Sequence, residues 1–80
     1  MNNLINTADL KELILNSENV TAIAIRQEMI EGYLLHIEAN SEQYVLSTYL
    51  SNKTRLFKRS DALLKEARSL GFKTVEFELQ

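Results

Sequence analysis

The spacing of apolar residues changes along the chain, and these changes constrain the fold more than any other sequence feature. A helical spacing near the N-terminus gives way to a period of two between Val20 and Leu50, and then returns from Ser60 to Leu70. The chain ends in a second stretch with a period of two. This order predicts an α+β fold, α-β-β-β-(β)-α-β: a small two-layer domain over residues 1–80, with a mostly antiparallel sheet of four to five strands and helices on one face.

The first helix is predicted over about residues 8–16. Leu10, Leu13 and Ile14 recur at i, i+3 and i+4, which places three aliphatic side chains on one side of the helix. Thr7 is the expected N-cap, because its hydroxyl can accept from a free amide of the first turn.

The second helix is predicted over about residues 60–70. Ser60 is the expected N-cap, and Gly71 is expected to end the helix because glycine adopts the left-handed conformation at little cost. The apolar stripe of this helix consists of Leu63, Leu64, Ala67 and Leu70. A stripe of this kind must pack on another element, so the helix is expected to cover the sheet.

The segments with a period of two are interpreted as strands joined by short turns. Glu31-Gly32 is predicted to be a two-residue hairpin turn, and Asn40-Ser41 is a second turn signal. The strands are predicted at about 20–28, 33–39, 43–50, 55–58 and 73–79.

Each strand is expected to have one face under the helices. The covered residues are predicted to be Tyr33, Leu35 and Ile37 in the second strand and Val75, Phe77 and Leu79 in the last. The third strand has two competing faces, one with Tyr44, Leu46 and Thr48 and the other with Val45, Ser47 and Tyr49, and we assign Tyr44 and Leu46 to the covered face. In the first strand the two faces hold Ile23 with Ile25 and Ala22 with Ala24. We expect Ala22 and Ala24 on the uncovered face.

The composition excludes several classes of protein. Because there is no cysteine, the chain has no disulfide, catalytic thiol or cysteine-based metal site, which fits a reducing cytoplasm. It has no proline and two glycines, and it contains no Gly-rich phosphate loop. No signal peptide is evident, and no apolar run approaches the ~20 residues of a membrane span. We expect a cytoplasmic protein with no cofactor and no membrane contact.

An enzymatic function is not expected from these residues. The one histidine, His36, shares a strand face with Glu38, and such a pair can act in acid–base catalysis. However, no nucleophile accompanies the pair at a turn or helix N-terminus, and pairs of this kind arise easily on a polar strand face. We therefore assign no catalytic, cofactor-binding or metal-binding residue.

The charges are divided unevenly between the two parts of the chain. Residues 1–50 contain two basic and seven acidic residues, whereas residues 51–80 contain seven basic and four acidic residues. The basic residues that could contact an anion, nucleic acid or a partner are Lys53, Arg55, Lys58, Arg59, Lys65 and Arg68. The same division could instead align the acidic part of one copy with the basic part of another, or it could reflect a solvated turn.

The sheet offers a further surface for a partner. A small sheet has two edges, and an uncovered edge or face can pair with a second copy. The residues of this face expected to make contact are Leu34, His36 and Tyr49. The first hypothesis is therefore a non-enzymatic binding protein, either a homo-oligomer (a homodimer) or a protein–protein adaptor. The alternative is an accessory nucleic-acid-binding protein that uses residues 53–59.

Overall fold

The structure is a computed structural model, and it describes residues 3–26, 29, 31–48 and 53–79. The described part of the chain forms two helices and six strands. Their bounds in chain order are β1 (Asn3–Ile5), α1 (Thr7–Leu15), β2 (Val20–Arg26), β3 (Tyr33–Ala39), β4 (Glu42–Leu46), β5 (Leu56–Phe57), α2 (Ser60–Ser69) and β6 (Glu76–Leu79). The predicted small α+β architecture is confirmed at this level.

The strands form one mixed sheet in the order β1-β4-β3-β2-β6, and β5 also pairs with β3. The pairings of β3 with β2, β4 and β5 are antiparallel. The two outer pairings, β1 with β4 and β2 with β6, are parallel. The sheet is therefore less antiparallel than predicted, because each helix returns the chain in the direction of the strand that preceded it.

Strand β1 was not predicted from the sequence. Its three residues are too few to show a period, and they form a strand because Asn3, Leu4 and Ile5 pair with residues of β4. Ile5 also accepts a hydrogen bond from the Ser47 amide at 2.8 Å. The pairing partner lies about forty positions along the chain, so the local sequence contains no signal for it.

An apolar core lies between the helices and one face of the sheet. Both helices and five of the strands contribute to it. Its buried members are Ile5, Leu10, Ala22, Ala24, Leu35, Ile37, Leu46, Phe57, Leu63 and Leu70. Tyr33 and Tyr44 pack against this cluster, so the predicted covered faces of β3 and β4 are confirmed.

The prediction for β2 was wrong. Ala22 lies opposite Ile37 and Ala24 lies opposite Leu35, so both alanines face the helices. Ile23 and Ile25 occupy the other face of the sheet. Small residues in the covered face leave room for large side chains from the neighbouring strand and the helices, and close packing favours this alternation of small and large residues.

The beginnings of both helices differ from the prediction. Asn6, not Thr7, is the N-cap of α1, and its side-chain oxygen accepts from the Asp9 amide at 2.8 Å. Arg59 occupies the N-cap position of α2 and Ser60 is already helical. No side-chain hydrogen bond caps α2 from Arg59. Each predicted cap lies one residue too far along the chain.

The end of α2 confirms the role predicted for Gly71. Its φ is +103°, and its amide donates to the Arg68 carbonyl at 3.0 Å. The amide of Phe72 donates to the Ala67 carbonyl at 3.1 Å. These two bonds form a Schellman motif, which turns the chain away from the helix and brings Phe72 against the core.

The two turns next to β3 differ in how well they were predicted. Asn40-Ser41 joins β3 to β4 with φ values of +54° and +65°, as a tight hairpin turn requires. Glu31-Gly32, however, is not a two-residue hairpin turn. Because Ile25 pairs with Leu34, the connection spans residues 27–32. Gly32 has a φ of +129°, and a Cβ at this position would lie 2.7 Å from the Phe57 carbonyl oxygen.

The strands β4 and β5 lie in one row along the same edge of β3. Val45 is opposite His36 and Leu56 is opposite Leu34, so the partners are close along β3 although they are far apart in the chain. A bridge between Ser47 and Thr54 and a 2.9 Å hydrogen bond from the Thr48 amide to the Lys53 carbonyl join the two strands. Thr54 therefore lies beside Ser47, close to the point where β4 ends.

Candidate binding surfaces

The first candidate surface is the edge formed by β6. The strand pairs with β2 on one side, and within the described ranges no strand pairs with its other side. A strand in this position presents main-chain N–H and C=O groups that a further strand can bond. An uncovered edge was expected from the sequence, but β6 was not identified as that edge.

The side chains of β6 are more exposed than predicted. All four residues are exposed, with Phe77 at 51% and Leu79 at 82%. The prediction that Phe77 and Leu79 are covered was therefore wrong, whereas Val75, just before the strand, does pack against the core. The alternation of charged and apolar residues was visible in the sequence, but it did not indicate that both faces of the strand are exposed.

The two faces of β6 differ in chemistry. Phe77 lies opposite Ala24 in the sheet register, which places it on the same side as the helices. Glu76 and Glu78 lie opposite Ile23 and Ile25, on the other side. The strand therefore has an apolar face and an acidic face, and both face solvent.

Aromatic contacts hold the apolar face of β6 in place. The Phe77 and Tyr33 rings meet edge to face with centroids 6.1 Å apart. The Arg26 guanidinium lies 5.9 Å from the centroid of the Tyr33 ring. Phe77 thus packs against Tyr33 although 51% of its surface is exposed.

The second candidate surface is an open groove of about 630 Å³ beside α2, which we call the cationic groove. It is lined by Asp61, Leu64, Lys65, Arg68, Gly71, Phe72, Lys73 and Val75. Lys65 and Arg68 are separated by three positions on α2 and therefore share one side of it. Lys65 and Arg68, two of the predicted contact residues, are brought together here, and Lys73 lines the groove with them.

The other predicted basic residues, Lys53, Arg55, Lys58 and Arg59, do not themselves line this groove. Arg55 forms an ion pair with Glu66 at 3.6 Å, and its guanidinium lies 4.6 Å from the centroid of the Phe57 ring. Arg59 forms an ion pair with Asp61 at 3.3 Å. Arg55 thus links the start of β5 to α2, and both arginines already have acidic partners within the chain.

Lys53 and Lys58 are exposed. Lys53 accepts a hydrogen bond at its carbonyl from Thr48, which fixes its backbone and leaves the side chain outside the sheet. Contacts of these residues with an anion or a partner stay predictions.

The sheet face away from the helices was predicted to offer Leu34, His36 and Tyr49 to a partner. Leu34 and His36 do lie on this face, since they pair with Ile25 and Ile23 of β2. Both are buried, each with 8% of its surface exposed. Tyr49 lies outside the described residues. The contact of these residues with a partner stays a prediction, and it would require access to side chains that are already buried.

His36 is a buried titratable residue on this face. Burial lowers its pKa below the ordinary value of 6.5, and the negative charge of Glu78 partly opposes that shift. Glu38 shares the face two positions along β3, and Glu76 lies in the same row beyond Ile23. The imidazole is therefore buried and lies close enough to the edge strand to be affected by the charge of Glu78.

A second open groove, of about 460 Å³, lies at the β3–β4 turn. It is lined by Asn16, Glu18, Asn19, Thr21, Glu38, Asn40 and Ser41. The Asn40 amide donates to the Ser17 hydroxyl at 3.1 Å, which holds this turn against the end of α1. Among the residues that the structure describes, no three His, Asp or Glu side chains are grouped as a metal site would require.

Together the fold and these surfaces define a small α+β domain with an exposed edge strand and a cationic groove. No protein-family model, no curated protein and no solved structure matches this chain. Neither helix within the described residues has the length and apolar character needed to cross a membrane. A function for this chain is therefore inferred from the two surfaces.

Proposed function

We propose that this chain is a non-enzymatic binding protein that recruits a partner protein by adding the partner's strand to β6. In this mode main-chain hydrogen bonds supply affinity, and side chains at alternate positions supply specificity. The proposal develops the adaptor hypothesis and assigns the contact to a surface that the sequence did not identify.

One observation supports this proposal above the others. The edge strand β6 has no partner on its outer side among the described strands, and all four of its side chains are exposed. Leu79 is 82% exposed and Phe77 is 51% exposed, although both are large apolar residues. Exposed apolar side chains beside unpaired main-chain groups are typical of a surface that pairs with another strand.

The proposal is tested by capture of binding strands from a library of short peptides, followed by amide hydrogen exchange. We expect a captured strand to slow exchange at Glu76–Leu79 and to leave exchange in β1 unchanged. The control is an edge-blocked variant, Leu79→Pro, because proline removes a main-chain donor and is unsuitable for strand pairing, while the contact between Phe77 and Tyr33 is kept. Captured peptides that slow exchange elsewhere but not in β6 would contradict the proposal.

Binding of nucleic acid is a second candidate function, favoured by the cationic groove. Lys65, Arg68 and Lys73 line this groove together with Phe72, so phosphate contacts and an aromatic plane lie close together. Residues 53–59 support this function less, because Arg55 and Arg59 already pair with Glu66 and Asp61.

A salt titration with duplex and single-stranded DNA and RNA tests this second function. We expect the affinity to fall with salt, and Lys65→Glu with Arg68→Glu to reduce the slope by about one unit for each phosphate that the variant no longer neutralises. The matched control is Lys53→Glu with Lys58→Glu, which changes the net charge equally outside the groove. Absence of binding at low salt would exclude this function.

The homo-oligomer version of the hypothesis and the cytoplasmic location stay predictions from the sequence. Light scattering over a range of protein concentrations tests the first, and a constant monomer mass would exclude it. Imaging of a tagged chain in cells tests the second.

A further inference from the structure

The chemistry of β6 also indicates what kind of strand it accepts, an inference that depends on the proposed function. Its two faces differ sharply, with Phe77 and Leu79 on the helix side and Glu76 and Glu78 on the other. Side chains of a newly added strand would lie directly beside them, at cross-strand distances where opposite charges attract and like charges repel.

Self-pairing of β6 is opposed by its own glutamates. In a two-fold antiparallel pair centred on Phe77, Glu76 of each copy would lie opposite Glu78 of the other. Shifting the register by two positions keeps the faces matched but still places a glutamate opposite a glutamate. Charged residues on an edge strand are a common protection against edge-to-edge association, and here they oppose a second copy in particular.

We propose that β6 selects a partner strand with lysine or arginine at alternate positions on one face and apolar residues on the other. The basic residues would lie beside Glu76 and Glu78, and the apolar residues beside Phe77 and Leu79. The acidic face of β6 therefore acts as a specificity determinant: it repels a copy of this chain and attracts a strand of opposite charge.

Three matched peptides test this proposal: lysine alternating with valine, glutamine alternating with valine, and glutamate alternating with valine. We expect the lysine peptide to bind about fivefold to tenfold more tightly than the glutamine peptide, since each opposite-charge pair contributes modestly. We expect the glutamate peptide to bind most weakly. Fluorescence anisotropy gives the affinities, and amide chemical shifts of β6 show that binding occurs at the edge.

The decisive variant is Glu76→Lys with Glu78→Lys, for which we expect the order of the three peptides to reverse. Glu12→Lys with Glu18→Lys is the matched control, because it changes the net charge equally at two exposed residues away from the edge. Retention of the original order by the β6 variant, or reversal by the control, would overturn the proposal.

The outcomes also separate this inference from the function on which it depends. If the glutamine and lysine peptides bind β6 equally well, strand addition is supported but the proposed selection of a basic partner strand is wrong. If no peptide alters the amides of β6, strand addition itself fails and the inference fails with it. Concentration-dependent association of the unmodified chain through β6 would also overturn the proposal that Glu76 and Glu78 repel a second copy.

Discussion

The strands β3 and β6 belong to the same sheet but differ in their burial and in the number of strands with which they pair. In β3 the residues Leu34–Ile37 are buried, and the strand has partners on both of its edges. In β6 all four residues are exposed, and the strand pairs with β2 alone. The comparison shows that burial is concentrated in the centre of the sheet, and we expect stability to follow the same distribution.

The largest expected effect tests the central strand. Leu35→Ala is expected to lower the free energy of unfolding by about 2–5 kcal/mol, because Leu35 is fully buried and its truncation leaves a cavity beneath the helices. Urea denaturation followed by circular dichroism measures this change. A decrease below about 1 kcal/mol would mean that β3 does not dominate stability.

Two glycines give a second test: Gly32, which directly precedes β3, and Gly71, which follows α2. Gly32→Ala is expected to cost about 2–3 kcal/mol, because it combines a positive φ with a contact to the Phe57 carbonyl oxygen. Gly71→Ala is the matched control. Its φ is also positive but its Cβ would meet open space, so we expect a cost of about 1 kcal/mol. Thermal unfolding of both variants measures the difference, and equal costs would show that the close approach to β5 is unimportant.

The imidazole of His36 links the two strands through pH. Folding lowers the pKa of His36, so the unfolded chain binds more protons once the pH falls below the ordinary value of 6.5. We therefore expect the contribution of neutral, buried His36 to the free energy of unfolding to be fully present above pH 6.5. It is expected to be lost progressively as the pH falls below that value.

The variant Glu78→Gln tests whether the charge of Glu78 affects the pKa of His36. Glu78 raises the pKa of His36, so its neutralisation is expected to lower that pKa further and to steepen the loss of stability at acid pH. NMR titration of the one histidine in the chain measures the shift directly. A rise of the His36 pKa in this variant would contradict the proximity of β6 to the imidazole.

The smallest expected effect concerns the edge strand itself. Leu79→Ala is expected to change the free energy of unfolding by no more than about 0.5 kcal/mol, because Leu79 is 82% exposed. Chemical denaturation beside the Leu35→Ala variant gives the comparison under identical conditions. A decrease as large as that of Leu35→Ala would mean that β6 is part of the core.

Local features of the fold were predictable because their causes are local. The stop of α2 at Gly71 and the turn at Asn40-Ser41 depend on backbone conformations that specific residues favour. The stripe of α2 was correct for Leu63 and Ala67 but not for Leu64, which is 40% exposed. Spacing therefore identified the side of the helix that packs, although not the width of the contact.

The remaining features depend on which elements meet across the chain. Three residues became β1 through a pairing with β4, and Ala22 and Ala24 face the helices because Leu35 and Ile37 fill the space beside them. The candidate site has the same origin. The alternation in β6 was visible in the sequence, but its position at the edge is a property of the sheet order.

The single row formed by β4 and β5 has a consequence for engineering. The bridge between Ser47 and Thr54 returns the chain to the place where it left the sheet, so β3 contacts the two segments as though they were one strand. A foreign peptide inserted between Thr48 and Lys53 is therefore expected to leave the neighbours of β3 in place. A tag or grafted epitope inserted there would be attached to β4 and β5, on the opposite side of β3 from the edge strand β6.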